Sequence, residues 1–209
     1  MLRKDIKLFL KAIPSNVNLV AATKYIAKEE LLSLYQNGIK NFGENRVDSF
    51  LEKYEYLKDY QDISWHFIGH LQRNKAKLVI NKINYLHSLD SIELAKIIEK
   101  ERKEPLPTFI EVSINLEESK NGVPYYQIDE FVNEVLKYKK IKLVGLMMMA
   151  VKGSLNTDEQ FHKLKELRDE LEKKFNISLP YLSMGMSEDY ISAIKEGATH
   201  IRLGRILYE

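Results

Sequence analysis

The chain has 209 residues, 44% of them hydrophobic, with 32 basic and 30 acidic side chains and no cysteine. That hydrophobic share supports a sizeable core and excludes a disordered chain, and a net charge of +2 spread along the sequence leaves no electrostatic footprint for nucleic acid or an anionic membrane. The lack of cysteine excludes a disulfide framework, a thiolate zinc site and a cysteine nucleophile.

The first segment, "MLRKDIKLFLKAIP", is basic and weakly amphipathic, and acidic Asp5 interrupts what would have to be the apolar stretch of a signal peptide. Nowhere do about 18 apolar residues run together, which excludes an ordinary transmembrane helix and leaves a cytoplasmic protein as the expectation. Short apolar runs then alternate with longer periodic segments. The runs are "NLVAATK" (18–24), "IKNFGE" (39–44), "SWHFIG" (64–69), "INYLHSLD" (83–90), "TFIEVSIN" (108–115), "KLVGLMMM" (142–149), "PYLSMG" (180–185) and "HIRLG" (200–204). Between them, Ile128, Phe131, Val132, Val135 and Leu136 recur at the spacing of one helix face, as do Phe161, Leu164, Leu167, Leu171 and Phe175. Asp90, Ser187 and Pro124 are placed to start helices, and Gly38, Gly122 and Gly197 to stop helices or loops.

Eight strand-like runs with helices between them predict an α/β fold, a (β/α)8 barrel, with an open doubly wound sheet as the competing architecture. No linker, repeat or low-complexity tract divides the sequence, so one domain over 1–209 is expected. The last run ends near Glu209 without room for an outer helix after it. A helix over about 2–12 is therefore expected to cover part of the barrel exterior.

In such a barrel the C-terminal strand ends share one mouth. There the sequence places Lys24 after the first strand, Glu44 and Asn45 after the second, and His66 and His70 on and past the third. Met147 lies on the sixth, Ser187 after the seventh, and Arg202 with Gly204 on the eighth. Lys24 has two readings, a solvated residue opening a loop or a Schiff-base lysine. The second needs a partly neutral amine, favoured by an apolar mouth and a second cation, for which Arg202 is the candidate.

In "SMGMSEDYISAIKEG" (183–197) a glycine followed by Ser187 at a helix N-cap offers N–H groups and a hydroxyl to an anion, and "RLGR" (202–205) offers a glycine turn beside it. Each has a purely structural reading as well, a cap and a turn. Together they describe a phosphate cup on strands neighbouring the lysine strand. His66 in an apolar run reads first as a satisfied core histidine, and His87, His162 and His200 show no metal-ligand spacing. The "MMM" of 147–149 reads as barrel core and mouth lining. No nucleotide loop, dinucleotide fingerprint or Ser-His-Asp pattern occurs.

The segments "LVAATK", "NFGENRVDSF", "WHFIGHLQRNK", "SLD", "VSINLEESKNGV", "GLMMMA" and "LSMGMSEDYISAIKEGATHIRLG", in that order over about 18–208, closely resemble the pyridoxal phosphate homeostasis (YggS-like) family. The resemblance implies a single barrel of fold type III, like the N-terminal domain of alanine racemase. It implies pyridoxal 5'-phosphate (PLP) bound as an internal aldimine on Lys24, and phosphate held by Ser187 and Gly204. Arg202 would face the pyridine nitrogen, with Asn45 near the cofactor. Where the family usually has threonine after the terminal glycine, this chain has Arg205. Its N–H can still serve the phosphate, while its guanidinium either adds a charge-assisted bond or points outward. The usual "IFG" becomes "ILYE", which touches the last turn more than the pocket.

A ring nitrogen facing arginine meets a donor, so the electron sink is weaker than one with an acidic partner. Racemases of this fold type share that arginine but add a second domain carrying an acid/base tyrosine, for which this chain is too short. The expectation is a monomeric PLP carrier in vitamin B6 homeostasis, not an enzyme, with PLP-dependent apoenzymes as recipients and neither nucleic acid nor membrane as partner. A PLP-dependent racemase-like enzyme is the alternative, and a PLP-free sugar-phosphate aldolase a third reading.

Overall fold

Every strand carries two faces with different chemistry, and that difference builds the molecule. The computed structural model describes residues 2–114, 122–151 and 156–208. Its elements run α1 (Ile6–Ala12), β1 (Asn18–Ala22), α2 (Lys28–Gln36), β2 (Asn41–Glu44), α3 (Val47–Tyr56), β3 (Ser64–Phe67), α4 (Arg73–Val79), β4 (Tyr85–Leu89), α5 (Ile92–Glu101) and β5 (Leu106–Ser113). There follow β6 (Val123–Pro124), α6 (Ile128–Val135), β7 (Ile141–Met147), α7 (Thr157–Phe175), β8 (Tyr181–Ser183), α8 (Tyr190–Lys195) and β9 (His200–Leu203).

The strand order β4-β3-β2-β1-β9-β8-β7-β5 is closed by pairing of β4 with β5, and all these pairs are parallel. The molecule is a closed eight-stranded barrel, and the open sheet is excluded. The two-residue β6, absent from the sequence expectation, pairs with the tip of β5, Val112 opposite Val123. The whole "NLEESKN" portion of the fifth motif, 115–121, lies outside the described residues.

Successive side chains alternate across each strand. Leu19, Ala21, Phe42, Trp65, Phe67, Ile110, Leu182, Ile201 and Leu203 face outward into the main core beneath the helices. Phe42, Phe50 and Trp65 meet there, with ring centroids 5.5 to 5.7 Å apart. Burying each such side chain contributes about 1.5–3 kcal/mol. The opposite face is unusual. Inside the barrel His66, Tyr85, His87, Phe109, Tyr181 and His200 pack ring on ring, His66 stacking on Tyr85 at 4.7 Å and His87 on Phe109 at 4.4 Å. Met147 joins Phe109 and Val144 in this second cluster, while Met149 is exposed.

Ile6 and Phe9 of α1 are buried in the main core, and Phe9 meets Tyr190 edge-on. The chain ends are tied together by Arg3 N–H donating to the Leu207 carbonyl at 3.1 Å and by a bridge between Leu2 and Tyr208. Leu136, expected on the apolar face of its helix, is exposed because it follows the last helical residue, Val135, as the C-cap.

Candidate functional site

Lys24 continues the inward row Asn18, Val20, Ala22 just past the end of β1. Its side chain is exposed, with the ammonium 4.4 Å from the centre of the Tyr25 ring. The desolvated amine that the sequence reading required is therefore absent, and turning the four-carbon arm inward means leaving that ring. The residue before it is held rigidly. Lys53 of α3 reaches under the strand end and donates to the Thr23 carbonyl at 2.5 Å and to Glu44 Oε1 at 2.6 Å. The Thr23 hydroxyl also bonds Glu44 Oε1, and all three side chains are buried. Glu44 thus faces outward from the barrel into this ion pair, not into the mouth.

The second half of the site comes from β8 and β9. Ser187 Oγ accepts from Gly204 N–H at 3.3 Å and from Ile206 N–H at 3.5 Å, so two backbone donors of one loop converge on one hydroxyl of another. Ser187 is not the helix N-cap that the sequence suggested. Asp189 holds that position, and its Oδ1 accepts from Met186 N–H at 2.5 Å, closing the turn before Tyr190. Gly185, at φ +92°, packs so tightly on α8 that a Cβ there would stand 2.6 Å from the Ala193 methyl. Arg205 is exposed and its guanidinium pairs with Glu188 rather than turning back over the cup. Gly204 lies against the lysine strand: a Cβ on it would sit 3.3 Å from the Ala22 carbonyl oxygen.

Arg202 is 4% exposed on the inner face of β9. It donates through Nη1 to Ser183 Oγ at 2.6 Å and through Nη2 to the Met148 carbonyl at 2.8 Å. Burial lowers its pKa from 12.5 to about 10. Because guanidinium only donates, Ser183 must pass its own hydrogen on, to His87 Nδ1 at 2.8 Å. His87 then carries hydrogen on Nε2 and gives it to His66 Nδ1 at 2.9 Å. His66 Nε2 in turn bonds Ser64 Oγ at 3.2 Å and Asn41 Oδ1 at 3.4 Å. Desolvation first, then the neighbouring histidines, holds both rings well below their usual pKa, and hence neutral. His66 is a hydrogen-bonded core histidine.

Asn45 stands on the inward row of β2, half-buried, with a buried Oδ1 that has no partner among the described residues. Gly69 lets the next loop approach, since a Cβ there would meet the Asn45 Cα and carbonyl at 2.7 Å. Across the mouth, Glu111 sits on β5 with the parity of Phe109 and is 3% exposed. Burial, then the Asp90 carboxylate, raises its pKa from 4.5 to about 7, with Arg202 and His70 opposing. Asp90, expected to cap α5, instead accepts from or pairs with His70 Nδ1 at 2.7 Å, while Ser91 caps the helix through Leu94 N–H.

The structure thus brings Lys24, Gly204 and Ser187 to adjoining strand ends, puts Arg202 below them, and turns the Arg205 side chain away. Sequence reasoning missed Glu111, Thr23, Lys53 and Ser183. A signal existed for Glu111, a lone carboxylate between Ile110 and Val112 inside an apolar strand. Among the described residues no group of histidine and acidic side chains is placed to hold a metal ion, and no helix is long and apolar enough to cross a membrane.

The alanine racemase N-terminal domain family matches residues 2–209. The pyridoxal phosphate homeostasis protein of Aquifex aeolicus is 42% identical over 195 residues, 91% of this chain and 85% of its own. This chain belongs to the pyridoxal phosphate homeostasis protein family. Its counterpart from Synechocystis is 38% identical, covering 95% of this chain and 94% of the relative. PipY of Synechococcus elongatus, solved without PLP, superposes with a TM-score of 0.93 at 28% identity over 100% of both chains. The PLP-bound PipY structure gives a TM-score of 0.89, covering 97% of this chain and 98% of that one. Alanine racemase of Corynebacterium glutamicum, 15% identical, shares the fold alone, with a TM-score of 0.78 over 97% of this chain and 58% of the enzyme.

Proposed function

We propose that this protein binds PLP at the barrel mouth and holds it as a carrier in vitamin B6 homeostasis, with Lys24 as the amine that takes its aldehyde. One observation carries the reading: Gly204, whose N–H converges with that of Ile206 on Ser187, lies against Ala22 two residues before Lys24. An anion cradle and a primary amine therefore occupy neighbouring strand ends.

The residues present fit the cofactor. The cradle supplies backbone N–H groups and a hydroxyl for a phosphate. Arg202 supplies a buried donor for a ring nitrogen, and Asn45 offers a buried carbonyl oxygen with no partner among the described residues. When bound, PLP supplies a reactive aldehyde and an electron sink. The chain's own groups favour storage over turnover. Arg202 only donates, so it cannot stabilise a protonated ring nitrogen. His66 and His87 are spent on each other and on Ser183. The names of the relatives, homeostasis proteins rather than enzymes, agree with this reading, in which PLP-dependent apoenzymes are the recipients.

The test is absorption of the purified protein with added PLP, followed by borohydride reduction and mass spectrometry. The reading expects a yellow band that reduction abolishes and a modified peptide containing Lys24, lost in Lys24→Ala. A protein that stays colourless with PLP overturns it. Turnover of any amino acid well above that of free PLP would reassign it as a racemase-like enzyme. Ser187→Ala is expected to release PLP in dialysis faster than Lys24→Ala, because the phosphate contacts hold the cofactor without the covalent link.

A further inference from the structure

Counting round the closed barrel from β1, the cradle strands β8 and β9 lie on one side, while β5 lies diametrically opposite and β3 and β4 face β8 and β9. The far half of the rim has its own chemistry. His70, just past β3, is paired with Asp90, just past β4, at 2.7 Å, with the aspartate side chain 9% exposed and the histidine 47% exposed. Glu111 projects into the barrel from the end of β5, 3% exposed, and the pairing of Leu89 with Ile110 brings it beside Asp90. Arg202, the charge nearest to balancing it, spends Nη1 and Nη2 on Ser183 and the Met148 carbonyl. No other charged group faces Glu111 from β7, whose neighbouring residue is Met147.

We propose that Glu111, Asp90 and His70 form a second site, one that receives the primary ammonium group of the molecule that displaces Lys24 from the cofactor. The proposal rests on the PLP reading above. In solution such a molecule is an ammonium ion with no lone pair, so it has to be both attracted and deprotonated before it can react. Two carboxylates supply the attraction. One proton passes from the ammonium to the Glu111 carboxylate, giving a neutral amine and a carboxylic acid, with no oxidant or reductant required. A carboxyl group whose pKa stands at about 7 is well matched to that exchange near neutral pH. The His70–Asp90 pair fixes the imidazole orientation at the entrance. The ligand class is a primary amine, free as an amino acid or carried on a polypeptide lysine.

The experiment compares displacement of bound PLP by methylamine, charged at neutral pH, with displacement by methoxyamine, uncharged there. In Glu111→Gln and Asp90→Asn the ratio of the methylamine rate to the methoxyamine rate is expected to fall about tenfold, the loss of one charged hydrogen-bond partner. If Glu111 only balances Arg202, the two rates change together and the ratio stays, which overturns the proposal. Independently of loading, the His70 ring protons of the PLP-free protein are followed by NMR. Methylammonium, alanine and Nα-acetyl-lysine methylamide are added in turn. A shift lost in Asp90→Asn supports the site, and silence from all three overturns it whether or not PLP binds. The ranking of alanine against the lysine amide tells which source the site prefers. If Glu111→Gln fails to fold, Asp90→Asn carries both measurements.

Discussion

A carboxyl group whose pKa stands at about 7 makes Glu111 the residue whose cost to the fold is most directly measurable. The folded protein keeps this proton over a range where the unfolded chain has lost it. Native stability from this group is therefore complete below pH 4.5 and is lost as the pH rises through about 7. The full displacement corresponds to on the order of 3 kcal/mol. Urea denaturation of Glu111→Gln against the parent should show the difference growing across that window in favour of the variant, and levelling above it. A flat difference would contradict the assignment. Ser183 is a second residue with an assigned task, since it connects Arg202 to His87. Ser183→Ala leaves the guanidinium and the imidazole each short of a partner and should cost about 1–3 kcal/mol by the same measurement. Glu111 left a signal in the sequence, a lone carboxylate in an apolar strand, but the role of Ser183 could not be read there. Ser183 sits in an apolar run, and its neighbours in space are 19 and 96 residues away.

At the scale of elements, β1, α3 and the end of β2 are pinned by the buried Lys53–Glu44 pair and its hold on Thr23. Removing one partner leaves the other charged and buried, so Lys53→Met should cost about 3–5 kcal/mol, while Lys53→Met with Glu44→Leu should recover most of it. Chemical denaturation of the three proteins measures the coupling. If Lys53 also fixes the strand end that presents Lys24, the single variant should slow PLP uptake as well. The strands were legible from sequence because each of the eight barrel staves is a short apolar run set off by polar neighbours. Their ends were less so: "PYLSMG" was expected over 180–185 and pairs over Tyr181–Ser183. The helix starts misled for a local reason. Asp90 and Ser187 are capping residue types within two positions of the true caps Ser91 and Asp189, and only the backbone trace says which is used. Asp90 is instead engaged by His70 from another loop, which leaves the cap to Ser91.

For the whole molecule, the closing β4–β5 contact turns eight separate strand ends into a single rim, so a cofactor bridging the β1 and β9 ends binds only the closed form. PLP should then stabilise by mass action, about 2.7 kcal/mol at a hundredfold excess over its dissociation constant, raising Tm by roughly 5–10 °C. Thermal denaturation with and without PLP checks this, and Ser187→Ala should show a smaller rise at equal PLP. The barrel was legible as a count of runs and the mouth as a set of residues with the right chemistry. The direction of the Lys24 and Arg205 side chains was not, because both depend on exposed local partners, Tyr25 and Glu188.

The series Arg202, Ser183, His87, His66 has one further consequence. Every hydrogen in it points away from the guanidinium, and because that head can only donate, no member can reverse. The row is polarised across the barrel, from β9 to β3, and its negative poles lean towards the guanidinium. A fixed row of dipoles, rather than a mobile counter-ion, lies against the buried cation at its head, and the nearby acid, coupled to that cation only at a distance, stays within reach of visitors from solution.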